Sequence, residues 1–273
     1  MFKFSVLMSL YDKEIPKYLD ESLRSIFSQE YKAHEIVLVF DGPIREELRL
    51  VVDKWKDDIN IQVVELPVNK GLANALNIGL KHCSFDYVAR MDTDDICATD
   101  RFYKQVKYME SNPDVDICGS WAIDIDELGC EIQVRKVPTD YFNIKKYIWT
   151  CPFIHPSVMF KKSKILECGS YRTDAPPRQD DYDLWIRCID FGLVTTNIPE
   201  PLLFYRYPEG SERKNDFGVG WNRFKLGVLP LFKYNPSLLS LLGLFYPMIR
   251  AILPASINKR VFKCIKAFDP RSR

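Results

Sequence analysis

The chain has 273 residues, of which 47% are hydrophobic and 27% charged, and this composition excludes a disordered or low-complexity protein. The net charge of +1 is unevenly divided: residues 217–273 carry ten Lys or Arg and one acid, Asp269, a balance of +9 that leaves −8 for residues 1–216. An acidic body disfavours a nucleic-acid partner, which would need basic residues on the body itself. The eight cysteines are too widely spaced for a CxxC pair or a zinc knuckle, so we expect free thiols.

Residues 1–110 alternate short apolar runs with amphipathic segments. The runs are rich in β-forming residues and predict buried strands, whereas the segments that follow have leucines at helical spacing. Predicted strands begin at Phe4, Glu35, Ile61 and Tyr87, and predicted helices pass through Leu19, Leu48 and Leu72. This alternation with short connections predicts an α/β fold with a Rossmann-like, doubly wound and mainly parallel sheet.

The pattern becomes mixed in the second part of the chain. A strand is predicted over residues 116–121 and helices over residues 140–149 and 181–191, with an irregular stretch from residue 165. A soft boundary near residue 215 separates this mixed half from a helical tail that is both basic and apolar.

Three carboxylates follow the fourth predicted strand within four residues, namely Asp92, Asp94 and Asp95. Carboxylates this close repel one another unless a cation neutralises them, and hard oxygen ligands suit Mn²⁺ or Mg²⁺. The alternative is a solvated acidic turn before the next helix, with Thr99 or Asp100 as its N-cap. On these residues alone, both interpretations stay open.

Polar residues also mark the ends of earlier strands. Ser9 and Asp41 end the first and second strands, and ligands bind at such strand ends in open α/β sheets. Asn69-Lys70-Gly71 opens the third helix, where a helix N-terminus and a lysine would favour a phosphate; a plain turn is the alternative. The sequence has neither a GxGxxG pattern nor a GxxxxGK[ST] pattern, so it lacks the usual dinucleotide and P-loop glycines.

In chain order these segments resemble the motifs of family 2 glycosyltransferases, and the bacterial O-antigen and exopolysaccharide (amylovoran-type) group in particular. The resemblance covers about residues 2–211, and the collinear set is more specific than any single motif. The matching segments are Ser5-Val6-Leu7-Met8-Ser9-Leu10-Tyr11, Asp41-Gly42, Asn69-Lys70-Gly71, Tyr87-Val88-Ala89-Arg90-Met91-Asp92-Thr93-Asp94-Asp95, His155-Pro156-Ser157 and Gln179-Asp180-Asp181-Tyr182-Asp183-Leu184-Trp185.

The resemblance implies a GT-A fold and inverting transfer from a nucleoside diphosphate sugar, usually UDP-linked. It divides the catalytic domain, residues 1–215, into a nucleotide-sugar half (1–110) and an acceptor half (111–215), followed by the tail (216–273).

Several donor-side roles follow from the same resemblance. Ser9 and Tyr11 would line the nucleoside pocket, Asp41 would bond the base, and Lys70 would lie near the diphosphate. In the DxDD segment, Asp92 and Asp94 would serve the donor, whereas Asp94 and Asp95 would lie nearest the metal.

Inverting transfer also needs a base for the acceptor hydroxyl. In the family this base is the second residue of a Glu-Asp pair before a helix, and here the pair is Asp180-Asp181. The resemblance therefore points to Asp181, with Asp180 in reserve; N-capping of the helix is the alternative.

Three further residues are candidates for substrate contacts. Arg206 is a candidate phosphate contact, with a surface salt bridge as the alternative. Many relatives carry a histidine two residues later, where this chain has Pro208. His155 and Trp185 are candidates for acceptor contacts, although a lone histidine is more often a structural hydrogen-bonding group.

The tail contains sixteen uncharged residues between Lys233 and Arg250, mostly leucine and aromatic. This is shorter than the ~20 residues that span a bilayer, and Pro236 and Pro247 interrupt it. Basic residues on both sides favour an anionic membrane surface. The alternative is a pair of helices packed on the catalytic domain or on a partner in a homodimer.

We therefore expect a cytoplasmic protein on the inner face of the bacterial membrane, because the N-terminal residues lack a secretory signal. A polyprenyl-diphosphate-linked acceptor, as the resemblance implies, would suit this location. Two rival hypotheses are a nucleotidyltransferase that makes a sugar nucleotide and a non-catalytic, membrane-bound subunit. The first would need a glycine-rich loop after the first strand, where Leu10-Tyr11-Asp12-Lys13-Glu14 has no glycine. Intact carboxylates at both clusters argue against the second.

Overall fold

The computed structural model describes residues 1–207 and 217–252. These residues form one nine-stranded sheet with helices packed against it. The strands are β1 (Phe4–Leu10), β2 (Glu35–Phe40), β3 (Ile61–Glu65), β4 (Tyr87–Arg90), β5 (Ile96–Cys97), β6 (Ile117–Ile125), β7 (Glu131–Arg135), β8 (Met159–Lys161) and β9 (Thr195–Arg206). The α-helices are α1 (Pro16–Phe27), α2 (Glu46–Trp55), α3 (Leu72–His82), α4 (Arg101–Ser111), α5 (Tyr141–Lys146), α6 (Lys162–Glu167), α7 (Asp180–Phe191), α8 (Phe217–Tyr234) and α9 (Leu238–Ile252).

The strand order is β3-β2-β1-β4-β8-β6-β9-β5, and β7 pairs with β6 outside this path. Strands β1, β2, β3 and β4 all run parallel to one another, whereas β8 runs antiparallel to both β4 and β6. The prediction of a doubly wound, mainly parallel first half and a mixed second half is confirmed. Because β1, β2 and β4 end at one edge, the loops that follow them meet there.

The core lies on both faces of the central strands, because alternate residues of a strand point to opposite faces. In β1, Val6 and Met8 pack with α1, α2 and α4, whereas Leu7 packs with α3 and α7. All three side chains are fully buried. Burying one such side chain stabilises a fold by about 1.5–3 kcal/mol. The strand ends are therefore anchored to a rigid sheet.

Some elements of the second half differ from the prediction. Residues 165–167 belong to helix α6 rather than to an irregular stretch. The carboxylate of the distant Asp86 accepts hydrogen bonds from the backbone and side chain of Ser163 in the first turn, and no local pattern reveals such a contact. The helix predicted over 140–149 ends at Lys146 and is followed by a 3₁₀ turn, Ile148–Thr150.

The described part of the tail is a hairpin of two helices, α8 and α9, which pack on each other and on the Ile148–Thr150 turn. Trp149, Leu231 and Leu244 form a small apolar cluster at this junction. The hairpin thus packs on the catalytic domain, as one of the two sequence-based interpretations of the tail expected. Pro247 lies inside α9 and does not end it.

The length of the apolar helices bears on the membrane hypothesis. Among the helices of residues 1–207 and 217–252, none is long and apolar enough to cross a bilayer. The basic residues between 259 and 266, like the boundary near 215, lie outside the described residues. The described cysteines form no disulfide.

Candidate active site

Three aspartates converge at the carboxyl end of β4, in the loop that leads to β5. One carboxylate oxygen from each of Asp92, Asp94 and Asp95 lies within 4.8 Å of the others. The loop is tied to helix α1, because the Ser22 hydroxyl donates a hydrogen bond to the Asp92 carbonyl at 3.0 Å. The fold therefore brings together the three side chains that the sequence marks as a candidate metal site.

Burial gives this cluster the electrostatics of a cation site. Asp95 is 1% exposed; one of its oxygens accepts the Arg206 backbone N–H at 2.8 Å, and the other has no hydrogen-bond partner in the described part of the chain. Burial and the charge of Asp92 raise the pKa of Asp94 to about 6, and burial with both neighbouring carboxylates raises that of Asp95. A buried carboxylate oxygen without a partner is costly unless a cation binds it. The residues present thus fit a divalent metal better than a solvated turn.

Arg90, the last residue of β4, is a buried cation beside this cluster. It is 2% exposed, and its guanidinium forms an ion pair with Asp92. Its Nε and Nη1 have no hydrogen-bond partner within residues 1–207 and 217–252. The sequence interpretation did not single out Arg90. The available signal was a charged residue at the end of an otherwise apolar buried strand.

Asp41 anchors the turn that begins α3. Its two carboxylate oxygens accept the backbone N–H groups of Lys70 and Gly71 at 2.8 and 2.9 Å. The approach requires Gly42, at φ +94°, since a Cβ there would lie 2.6 Å from the Asn69 nitrogen. The carboxylate retains lone pairs for a further donor. The base contact of Asp41 therefore stays a prediction, and the structure adds an anchoring role.

The other predicted donor-side residues lie at the same edge of the sheet. Ser9 and Tyr11 are at the carboxyl end of β1, where Ser9 is paired with Val39 of β2. Partial burial and the charges of Glu14 and Asp94 raise the pKa of Tyr11. The side chain of Lys70 is exposed. These positions are compatible with a nucleotide site.

Arg206 lies beneath the aspartate loop. Its fully buried guanidinium donates to Glu21 at 2.7 Å and to the Asp94 carbonyl at 2.9 Å, and it lies 4.0 Å from the Tyr18 ring centre. Its Nη1 donates to two carbonyls of the β6–β7 turn. The expected diphosphate contact is therefore corrected, because protein groups occupy these donors. The alternative, a surface salt bridge, is also wrong: Arg206 is an internal support for the loop.

A second pair of carboxylates opens helix α7. Asp180 and Asp181 lie in its first turn, after Gln179 at the N-cap, where the helix dipole favours negative charge. Neither residue is itself the N-cap. Burial raises the pKa of both groups, and the Asp180 charge raises that of Asp181 further. The Cys151 sulfur lies 3.9 Å from the Asp181 carboxylate. A partly buried carboxylate with a raised pKa suits a general base.

The two acidic clusters lie around the same buried cation. Burial raises the pKa values of Asp94, Asp180 and Asp181, and the Arg90 charge opposes that rise at all three. Arg90 therefore lies close enough to act on both. The charge of one buried arginine thus acts on both the candidate metal site and the candidate base.

His155 and Trp185 have structural surroundings. His155 Nε2 lies 2.8 Å from the Tyr171 hydroxyl. Burial and the Arg90 charge hold the pKa of His155 well below its ordinary value, so the ring is neutral near neutral pH. Trp185 is fully buried and packs on Phe153 at 5.1 Å between ring centres. The expected acceptor contact of Trp185 is therefore corrected, because its face of α7 packs in the core.

An open α/β sheet with an acidic triad at its strand ends is suited to bind a nucleotide and a divalent metal. The sequence profile described as Glycosyl transferase family 2 matches residues 5–169, and the chain belongs to this family. The chain is therefore a glycosyltransferase, and the nucleotidyltransferase hypothesis is not supported.

Several relatives are similar over most of their length. The chain is 41% identical to an uncharacterized glycosyltransferase of Haemophilus influenzae, over 96% of this chain and 98% of that protein. It is 42% identical to the amylovoran biosynthesis glycosyltransferase AmsE of Erwinia amylovora, over 82% and 83% of the two chains. A third relative, 36% identical over 78% of this chain and 77% of its own, is the Escherichia coli UDP-Gal:alpha-D-GlcNAc-diphosphoundecaprenol beta-1,3-galactosyltransferase.

Solved structures share the fold. Residues 1–349 of TarS from S. aureus, in complex with UDP-GlcNAc, match with a TM-score of 0.68 and 15% identity, over 92% of this chain and 72% of that one. The mannosyltransferase PcManGT from Pyrobaculum calidifontis, in complex with GDP-Man and Mn²⁺, matches with a TM-score of 0.67 and 19% identity, over 99% and 82%. These similarities confirm the GT-A fold.

Proposed function

We propose that this glycosyltransferase moves a sugar from a UDP-sugar to a polyprenyl-diphosphate-linked acceptor sugar, with inversion, in the assembly of a bacterial O-antigen or exopolysaccharide. The observation that carries the proposal is the pair of acidic clusters around Arg90. One is a triad with a buried, unpartnered carboxylate oxygen in the described part of the chain, and the other is a carboxylate pair with raised pKa values. The names of the Escherichia coli and Erwinia relatives support the acceptor and the pathway class.

On the donor side, Asp94 and Asp95 would hold Mn²⁺ or Mg²⁺, and Asp92 supports them through its ion pair with Arg90. When bound, such a cation would neutralise charge on the departing diphosphate. Ser9 and Tyr11 would line the nucleoside pocket at the end of β1. Asp41 and Lys70 would then meet the base and the diphosphate at the start of α3.

On the acceptor side, Asp181 takes the proton of the attacking hydroxyl. The hydroxyl oxygen forms the new bond to the anomeric carbon while the bond from that carbon to the diphosphate oxygen breaks, and its electron pair leaves with UDP. A single displacement of this kind inverts the configuration. Asp180 lies beside the base, and its negative charge helps to keep the Asp181 pKa raised.

The α8–α9 hairpin would bind the anionic inner face of the cell membrane. Its described residues, 217–252, include four basic residues and no acidic one. Large apolar side chains are exposed on both helices, among them Trp221, Leu229, Leu239 and Leu242. Apolar side chains with nearby basic residues favour an anionic membrane surface. This surface would bring the enzyme to a lipid-linked acceptor.

The test is a transfer assay with a panel of UDP-, GDP- and dTDP-sugars, and α-D-GlcNAc-diphosphoundecaprenol serves as the first acceptor because the Escherichia coli relative is named for it. We expect release of UDP that requires Mn²⁺ or Mg²⁺. Nucleotide release that is indifferent to chelation by EDTA would contradict the proposal.

A further inference from the structure

Side chains of helix α8 contact both ends of α7, the helix that carries the candidate base. At one end of the pair, the Lys233 ammonium and the Tyr234 hydroxyl donate to the Asp190 carboxylate at 2.6 and 2.5 Å. Toward the other end, a Cβ on Gly227 would lie 2.5 Å from the Tyr182 hydroxyl. Side-chain contacts therefore connect the hairpin to both ends of α7, including its first turn.

Arg223 of α8 contacts the chain on both sides of the candidate base. Its guanidinium donates a hydrogen bond to the Thr150 carbonyl and lies 5.4 Å from the Tyr182 ring centre. Tyr182 directly follows Asp181. Thr150 directly precedes Cys151, whose sulfur is 3.9 Å from the Asp181 carboxylate. One side chain of the tail therefore holds two segments that meet at Asp181.

The segment at Cys151 needs support of this kind. Cys151 has φ +55°, in the left-handed region that non-glycine residues rarely occupy. Such a conformation persists only where the surrounding structure holds it. The Arg223 hydrogen bond to the preceding carbonyl is one such restraint.

We propose that Arg223 is a positioning residue for the Asp181 base, so that the C-terminal hairpin forms part of the acceptor side of the active site. The proposal rests on the proposed function, in which Asp181 is the base. It assigns to the tail a catalytic role separate from membrane binding, since the Arg223 side chain packs inward against α7 and the Ile148–Thr150 turn.

The charges around Asp181 determine what removal of Arg223 should do. Burial and the Asp180 charge raise the pKa of Asp181, and the Arg223 and Arg90 charges oppose this rise. The Cys151 thiol and the Tyr171 hydroxyl also lie near the carboxylate. A general base must be deprotonated to act, so activity rises with pH through its pKa. Loss of the Arg223 charge should therefore move the acidic limb of the pH profile to higher pH.

The test compares Arg223→Met and Arg223→Lys in the full-length chain, with Arg24→Met as the control. Arg24 is an exposed arginine of α1 that pairs with Asp20. The assay follows UDP release with the UDP-sugar that the wild type uses and with α-D-GlcNAc-diphosphoundecaprenol in detergent. For Arg223→Met we expect kcat to fall about 10- to 100-fold, the KM for donor to be unchanged, and the acidic limb to move up. Arg223→Lys keeps the charge, so its acidic limb should lie at the same pH as that of the wild type, and its kcat should be higher than that of Arg223→Met.

Two results would overturn the proposal: Arg223→Met with the kcat and pH profile of the wild type, or Arg223→Lys with no better kcat than Arg223→Met at equal folded fraction. If Arg223→Met fails to fold, Arg223→Lys against the wild type decides through the same kcat comparison. Asp181→Asn, measured beside them, separates this failure from that of the proposed function. Full turnover by Asp181→Asn would show that Asp181 is not the base. An inactive Asp181→Asn together with an unaffected Arg223→Met would contradict only the role of Arg223.

Discussion

Some of the carboxylates at the end of β4 have a positively charged partner, and others do not. Asp92 has Arg90 as its partner, and Asp95 accepts one backbone N–H, yet Asp94 and the second oxygen of Asp95 keep no cationic partner among the described residues. Buried carboxylates in this state destabilise the folded chain when they ionise. A divalent cation would remove that cost.

This imbalance predicts how metal binding should depend on pH. The pKa of Asp94 in the folded protein is raised to about 6, above that of an unfolded Asp. The protonated group therefore stabilises the fold at low pH, and this stabilisation is lost as pH rises through about 6. A cation binds the ionised form. We therefore expect Mn²⁺ to raise the Tm clearly at about pH 7.5 and much less at about pH 5, as measured by scanning fluorimetry.

The matched control for this experiment is Asp95→Asn, which keeps the shape of the side chain and removes one of the candidate metal ligands. The Mn²⁺-dependent rise in Tm should be lost in this variant. An equal Mn²⁺ effect in the wild type and in Asp95→Asn would rule out the triad as the metal site.

For single residues, the sequence predicts the functional aspartates better than the arginines that support them. The aspartates stand out because three lie within four residues after a strand. The supporting roles of Arg90 and Arg206 do not stand out, since they depend on burial and on contacts made in the fold: Arg206, for example, reaches Glu21 across 185 positions. Only the folded sheet shows that Arg206 supports the loop from below. Trp185 was misplaced for a similar reason, because periodicity gives its helix face but not the neighbour on that face.

Among the elements, the contact between the loop after β2 and the turn before α3 shows how one glycine fixes a site. Gly42 has φ +94°, and its Cα faces the Asn69 backbone so closely that the Asp41 carboxylate can reach the N–H groups at the start of α3. Gly129 has a similar φ of +86°, but a Cβ there would meet nothing within 4 Å. A substitution at Gly129 would therefore introduce backbone strain alone, whereas one at Gly42 would introduce strain and a steric clash.

We predict that Gly129→Ala lowers the free energy of unfolding by roughly 1–3 kcal/mol through strain alone. Gly42→Ala should cost more and should also weaken UDP binding, because the added methyl pushes the Asn69–Gly71 turn away from Asp41. Urea denaturation and titration with UDP measure the two effects. Equal costs for the two variants, with UDP affinity retained in Gly42→Ala, would contradict the anchoring role of this turn.

Elements with a clear apolar period were predictable, whereas the short strands and the twelve-residue β9, which contains Pro199 and Pro201, were not. Strands β1 to β4 and the helices between them follow from apolar periodicity. Strands β5 and β8, with two and three residues, carry no periodic signal and form because longer neighbours offer hydrogen bonds. Helix α6 begins where Asp86 provides a cap from another part of the chain. These elements depend on tertiary contacts that the local sequence does not encode.

For the molecule as a whole, the hairpin of α8 and α9 has two distinct faces. The inner face packs against the Ile148–Thr150 turn and contacts Tyr182 of α7, whereas the outer face exposes large apolar side chains. The charge asymmetry of the sequence indicated that body and tail meet different surroundings. It did not indicate that the tail would also pack beside the candidate base.

The proposed membrane surface can be tested with two matched leucines. Leu239 in α9 and Leu128 in the β6–β7 turn are 81% and 80% exposed. We expect Leu239→Asp to reduce flotation of the protein with phosphatidylglycerol-containing vesicles, because it adds an anionic, hydrated group to the apolar surface. Leu128→Asp should float like the wild type. Unchanged flotation of Leu239→Asp would exclude this face as the membrane contact.

In the proposed function, two acidic clusters around one buried arginine carry out metal-dependent, inverting transfer of a sugar. The most direct measurement is the anomeric configuration of the product, determined by NMR after transfer from an α-linked UDP-sugar to α-D-GlcNAc-diphosphoundecaprenol in the presence of Mn²⁺. A single displacement with Asp181 as base predicts a β-linked product. An α-linked product would contradict the account, as would transfer at the full rate after removal of divalent metal.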